Sequence, residues 1–335
     1  MNVNKLAVVG VGRWGVNLLR NFCQLLGEHR VIACDADPER LKTVREHHPD
    51  VDTTSDFTTI LNDSKVNAIV LATPVITHFS LASQSLKAGK HTFVEKPLAL
   101  QSEEAQQLIT LADQHRCQLM VDHLLEYHPA VEHLKQLIAA GELGEIFYLY
   151  SQRLNFGIVR TEENALWSLG VHDMSVMLHL VGQDPHTVWA QGMDCLQKGI
   201  EDMTLVTLEF PQGLRAHIYL SWLDPQKVRK FVVIGSRKMA IFDDLAAKKL
   251  VLSDKRVHRQ GKRLSLHDGG ASPVPLEDKE PLRTACEHFL HCIERHVPPR
   301  SDGRDGLRVV RVLEAAQRSL DQEGQAVCLT EVKKR

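Results

Sequence analysis

The stretch KLAVVGVGRWGVNLLRNFCQLL, residues 5–26, decides the fold of the first part of this chain. Residues of strand character run into Gly10-Val11-Gly12-Arg13-Trp14-Gly15, and from Gly15 onward the apolar positions fall at helical spacing. A G-x-G-x-x-G placed between a strand and a helix has a specific physical use. Gly10 permits the tight turn, Gly12 lets the backbone approach a pyrophosphate, and Gly15 lets helix and strand pack closely. The helix N-terminus then offers oriented N–H groups to the anion. Arg13 and Trp14 complete the loop and are counted with the glycines as expected cofactor contacts.

Outward from this loop, strand-like and helix-like runs alternate over the first 120 residues: HRVIACD then PERLKTVREH, AIVLAT then THFSLASQSLKAG, HTFVEK then SEEAQQLITLADQHR, and finally QLMVDHL. The alternation predicts βαβ units and a doubly wound parallel sheet of Rossmann type. Asp35 closes the second strand, where a carboxylate hydrogen-bonds the ribose hydroxyls of an adenosine. Asp35 and the nearby Asp37 repel a 2′-phosphate, so NAD is expected rather than NADP. Ligands of open parallel sheets lie outside the carboxyl ends of the strands. That rule puts Thr73, Pro74 and His78 at one strand end, and Glu95 and Lys96 at the next. Pro97 disfavours the helical region for Lys96 and holds it extended. An ammonium there is suited to polarise a hydroxyl or carbonyl.

From about residue 145 the apolar runs alternate and are joined by tight turns. EIFYLYSQRL, TVWAQGM, DMTLVTLEF, LRAHIYLSW, KFVVIGS, KMAIFD and KLVLS predict an open, mainly antiparallel sheet in an α+β domain. The expected domains are 1–124, dinucleotide-binding, and 125–335, for substrate and oligomerisation. Between Asp254 and Pro281 a basic, Gly/Pro-bearing stretch predicts a long surface loop. A helix near 306–320 and a short strand AVCLT, residues 326–330, close the chain.

The chain has 335 residues, 43% hydrophobic and 24% charged, with a formal net charge of −2. These values fit a soluble two-domain enzyme and argue against nucleic acid as a partner. No apolar run approaches bilayer length and no signal peptide is expected, so the reading is cytoplasmic, without a membrane partner. Seven scattered cysteines form no C-x-x-C, which suits a reducing compartment. In CEHFLHCIERH, residues 286–296, Phe289 and Ile293 belong to the apolar stripe and His288, His291 and Glu294 face mostly outward; no metal is expected.

With GVGRWG, ATPVITH, VEKPLAL and GVHD in this order, and DGRDGLRVVRVLEAAQRSL near the end, the chain resembles the glucose-fructose oxidoreductase, inositol dehydrogenase and MocA family over essentially its full length. The resemblance implies an NAD(P)-dependent sugar oxidoreductase whose outer sheet face makes oligomer contacts, as a homodimer or homotetramer. It implies that Lys96 is the catalytic lysine and His172 the catalytic histidine. In that assignment His172 takes the hydroxyl proton, with Lys96 bonded to the same oxygen; the reverse, with Lys96 as base, stays open. Asp173 is read evenly as orienting the imidazole or capping its helix. His123, Tyr127 and His128 are each read as structural. Many members carry an Asp four residues before the histidine, where this chain has Ser168.

Arg153, Asn155, Arg160 and Asn164 precede the histidine and predict an anionic, multiply hydrogen-bonded substrate. Their R-x-N-x-G-x-x-R spacing resembles the branch that oxidises C3 of nucleotide-linked N-acetylhexosamines or their uronic acids. Such a step supplies a 3-keto sugar for 3-amino sugar synthesis in lipid A or O-antigen. The alternatives are an inositol, polyol or aldose dehydrogenase, and a non-catalytic NAD-binding regulatory protein.

Overall fold

In the computed structural model, which describes residues 3–329, the chain divides into two compact units. One comprises 1–127 with 279–310, the other 128–278 with 311–335.

The first unit alternates β1 (Lys5–Val9), α1 (Gly15–Leu26), β2 (Val31–Cys34), α2 (Pro38–His47), β3 (Asp52–Thr54), α3 (Phe57–Asn62), β4 (Val66–Leu71), α4 (His78–Lys87), β5 (His91–Val94), α5 (Ser102–His115) and β6 (Leu119–Val121). The strands form one parallel sheet in the order β3-β2-β1-β4-β5-β6. The sequence reading lacked β3 and α3: Asp52-Thr53-Thr54 is a polar edge strand without apolar alternation. Successive strand side chains point to opposite faces. Leu6 and Val8 therefore enter one core with Leu18, Phe22 and Phe93, while Ala7 and Val9 enter the other with Ile69, Leu71 and Leu108.

The second unit carries α6 (Pro129–Ala139), β7 (Ile146–Phe156), α7 (Val171–Val181), β8 (Thr187–Met193), β9 (Met203–Glu209), β10 (Arg215–Ser221), β11 (Leu223–Gly235), β12 (Met239–Asp243), β13 (Leu250–Gln260) and β14 (Arg263–Pro273). After α8 (Pro281–Arg295) and α9 (Gly303–Asp321), β15 (Val327–Cys328) closes the sheet; Thr330, expected in that strand, lies outside the described residues. The nine strands run β14-β13-β12-β11-β7-β10-β9-β8-β15, with β7 and β10 parallel and the other neighbours antiparallel.

Two expectations need correction. The stretch from Asp254, expected as a loop, forms most of the β13–β14 hairpin, with Val257 opposite Leu266 and a turn through Gly261 at φ +60°. Its side chains are mostly polar, and the few apolar ones, Val257, Leu264 and Leu266, are exposed, so the hairpin carries no buried apolar period to read. Residues 279–310, expected with the second domain, belong to the first unit. There Phe289 of α8 completes an edge-to-face aromatic chain with Phe93 and Phe22, at centroid distances of 5.4 and 6.3 Å.

Candidate functional site

In the first unit the glycine loop has the strained geometry its sequence implies. Gly10 lies at φ +86°, and a Cβ there would stand 2.6 Å from the Ala72 carbonyl oxygen. A Cβ on Gly15 would stand 1.8 Å from the Gly10 oxygen, so neither position admits a side chain. Asp35 is buried at the end of β2; its Oδ2 accepts the Val11 N–H at 2.8 Å and its Oδ1 the Asp37 N–H at 2.9 Å. These bonds fix the carboxylate beside the glycine loop. Asp37 also accepts the Glu39 N–H at 3.0 Å and caps α2. Arg40 was not foreseen: its guanidinium lies 3.3 Å from Asp35 and 3.4 Å from Asp37, partly offsetting the two charges.

At the ends of β4 and β5, Thr73 and His78 serve first to join two turns. The imidazole of His78 is buried, with Nδ1 at 2.8 Å from the Pro97 oxygen and Nε2 at 2.9 Å from that of Thr73. Burial lowers its pKa despite both carbonyls. Glu95 accepts the Lys96 backbone N–H at 3.1 Å, which ties the carboxylate to the strand end. Burial, and then the charge of Asp122, push the Glu95 carboxyl well above the ordinary carboxylate range. Burial also raises Asp122, which accepts the Trp14 indole N–H at 3.4 Å. Two hidden carboxyls thus lie between the glycine loop and Lys96, and Asp122 is a site neighbour the sequence reading missed.

His123 is bonded through Nδ1 to Asp305 at 2.8 Å, with Glu126 at 3.4 Å. Burial opposes its charge, but hydrogen bonds to Asp305 and Glu126 prevail and raise it to about 9. Among the described residues this is the one His/Cys/Asp/Glu group with donor atoms within 4.8 Å of each other, and an ion pair holds it together. Tyr127 bonds Ser301 at 2.9 Å, and His128 caps α6 by accepting the Ala130 N–H at 3.0 Å.

In the second unit a single π-helical turn, Leu166–Gly170, leads into α7 and sets His172 in its first turn, half-buried. π-turns of this kind are frequent at functional sites. A Cβ on Gly170 would stand 2.8 Å from Leu220, so the glycine lets this turn press onto β10. Asp173 neither caps α7 nor is bonded to the imidazole; its buried carboxylate is ion-paired with Nε of Arg153 on β7. Arg229, also unforeseen, faces Arg153 directly across the β7–β11 ladder. Its guanidinium donates to the Leu154 and Val228 carbonyls, both at 2.8 Å, and to Asn155 Oδ1 at 3.2 Å. The signal for it was strand period: Arg229, Phe231 and Val233 share one face.

The other expected substrate residues separate. Asn164 is buried and committed to the fold, donating to Glu201 at 2.6 Å and Gln317 at 3.0 Å while accepting the Trp167 N–H at 3.2 Å. Arg160 is exposed, 3.6 Å from Glu163. Ser168 lies in the π-turn, its backbone N–H donated to the Asn164 oxygen at 3.0 Å. Arg153, Asn155 and the added Arg229 thus form the polar cluster beside the start of α7.

Comparison with known proteins bears on both halves. An oxidoreductase family model described as an NAD-binding Rossmann fold matches residues 4–123, and a GFO/IDH/MocA C-terminal domain model matches residues 131–241. The chain is 28% identical over 259 residues to UDP-N-acetylglucosamine 3-dehydrogenase of Acidithiobacillus ferrooxidans, covering 74% of this chain and 76% of that protein. A solved structure of that enzyme superposes with a TM-score of 0.83 at 25% identity, covering 95% of this chain and 98% of its own. The WlbA dehydrogenase from Bordetella pertussis, solved with NADH and UDP-GlcNAcA, shares the fold at a TM-score of 0.78 and 20% identity, over 97% of this chain and 98% of that one. An inositol 2-dehydrogenase from Salmonella paratyphi B is 26% identical over 218 residues, 63% of this chain and 65% of that protein.

Proposed function

The chain belongs to the GFO/IDH/MocA family of NAD-binding oxidoreductases, and on that premise we propose that it oxidises the C3 hydroxyl of a nucleotide-linked N-acetylhexosamine, UDP-N-acetylglucosamine or its uronic acid, to the 3-keto sugar. The observation that carries this reading is the pair of guanidiniums, Arg153 and Arg229, on the sheet beside the helix whose first turn carries His172. Similarity to a named UDP-N-acetylglucosamine 3-dehydrogenase supports it.

Gly10, Gly12, Gly15 and Asp35 fit the dinucleotide: the loop has no side chain to fill the pyrophosphate cradle, and a buried carboxylate waits for the ribose. Arg13, Trp14, Thr73 and Pro74 complete the expected contacts. NAD, when bound, supplies the hydride acceptor. In the proposed roles His172 removes the hydroxyl proton, for which an imidazole with an ordinary pKa of about 6.5 is suited. Lys96 bonds the same oxygen and stabilises its alkoxide character. Asn155 and Arg229 hold the anionic substrate, with Arg153 beside them. The outer sheet face, where Tyr150, Trp189, Leu205 and Tyr219 line a shallow trough, is the surface assigned to self-association.

The test is NAD reduction with a panel of UDP-sugars, free hexosamines and inositols, repeated in Lys96→Ala and His172→Ala. Each variant is expected to lose about a hundredfold or more in turnover while still binding NAD. Reduction by inositols alone would transfer the reading to a polyol dehydrogenase. Unchanged turnover in both variants would sink the assigned roles.

A further inference from the structure

Arg153 and Arg229 are not equivalent, and the difference bears on what the substrate must carry. Arg153 has its counter-charge within the fold, because Asp173 is ion-paired to it. For Arg229, no carboxylate among the described residues lies within ion-pair distance. Asp173 and Asp244 act on Arg229 at longer range, and Asp244, in the turn after β12, stands 3.8 Å from Lys249 and 3.6 Å from His128. The cluster Arg153, Asp173, Arg229 therefore holds two cations and one anion.

A partly buried guanidinium without a counter-ion is costly. Burial, and then the charge of Arg153, lower the Arg229 pKa to about 10 against the opposing pull of Asp173 and Asp244. The backbone carbonyls and Asn155 fix its orientation but supply no charge. These bonds engage three of its five N–H groups. What Arg229 lacks is an oxyanion at ion-pair distance, and the residue before Asp173 is His172.

We infer that Arg229 is the specificity-determining residue of this site, binding an oxyanion of the substrate, while Arg153 is a positioning residue that holds Asp173 and with it the start of α7. The shared chemistry is a planar or tetrahedral oxyanion, which a guanidinium fork binds bidentately. It is carried either as a sugar carboxylate or as the anomeric phosphate. The inference rests on the proposed function for where the substrate lies.

The experiment measures dissociation constants on the full chain, saturated with NADH, for two ligand pairs. UDP-N-acetylglucosaminuronate against UDP-N-acetylglucosamine isolates a carboxylate; N-acetylglucosamine 1-phosphate against N-acetylglucosamine isolates a phosphate. In the native chain the anionic member of one pair should bind at least about tenfold tighter. Arg229→Gln should reduce that ratio by roughly thirtyfold or abolish it. Arg229→Lys keeps the charge without the fork and should give an intermediate ratio, which also covers failure of the glutamine variant to fold. No preference in the native chain, or an unchanged ratio in whichever variant folds, overturns the inference. NAD reduction by the same ligands, assayed separately with NAD in place of NADH, distinguishes the two readings. Oxidation with a ratio indifferent to Arg229 leaves the function standing and removes this residue. An Arg229-dependent ratio without oxidation of any nucleotide sugar does the reverse.

Discussion

Arg153 illustrates how a residue's sequence neighbours mislead about its partner. Its spacing from Asn155 and Arg160 suggested a row of substrate ligands, but strand and helix geometry turns it onto Asp173, twenty positions away. Asn164 is similarly diverted to Glu201 and Gln317. Ser168 raises the opposite case, a position where relatives of the resembled family often carry an acid. A hydroxyl in the π-turn cannot take up the substrate proton, so in the proposed mechanism the base is His172 alone. Ser168→Ala is accordingly expected to reduce kcat by less than about tenfold, far less than His172→Ala. Steady-state kinetics on the two variants checks this, and equal losses would make Ser168 a catalytic partner. At this scale the glycines, Asp35, Lys96 and His172 could be proposed from the sequence because each sits at a fixed place in a motif. Asp122 and Arg229 could not, since they reach their neighbours across strands, and Arg40, which turns back from α2 onto Asp35 and Asp37, carries no motif position.

Elements were legible where an apolar period marked them. GVNLLRNFCQLL and PERLKTVREH coincide with α1 and α2 residue for residue. Elements without such a period were lost, as with β3 and the β13–β14 hairpin. α8 was visible as a helix, but its place was not: nothing in its stripe says which core it fills. It fills the first unit's, where Phe289 is fully buried against Phe93 and shares a core with Phe22, Leu282 and Ile293. Phe289→Ala should therefore cost about 3–5 kcal/mol of unfolding free energy, through lost transfer and a residual cavity. Urea denaturation followed with and without NAD reads it. A loss that NAD binding cannot partly restore would argue that α8 does not support the nucleotide-binding unit.

At the scale of the whole molecule, no helix among the described residues is long and apolar enough to cross a membrane. The second unit leaves one broad sheet face only partly covered. Leu205 is 48% exposed there and Tyr148 41%, with Tyr150 and Tyr219 on β7 and β10 and Trp189 on β8 beyond Leu205, an area of the kind that marks an interaction surface. If this face makes the proposed self-association, Tyr148→Glu with Leu205→Glu should give monomers by light scattering, with NAD binding retained. An unchanged mass would place the contact elsewhere. By itself the sequence determined the βαβ succession of the nucleotide-binding half, its cofactor class and the strands of the second half from β7 to the start of β13, and its motifs offered the two residues proposed for proton and oxygen chemistry. All of these are written in short-range patterns: glycine spacing, apolar period and motif order. Only the tertiary structure decided that Asp173 belongs to Arg153, that Arg229 stands opposite with no carboxylate at ion-pair distance, and that α8 returns to the first core. Those outcomes depend on which strands pair and in what register, and pairing between distant segments leaves no local signature in the chain.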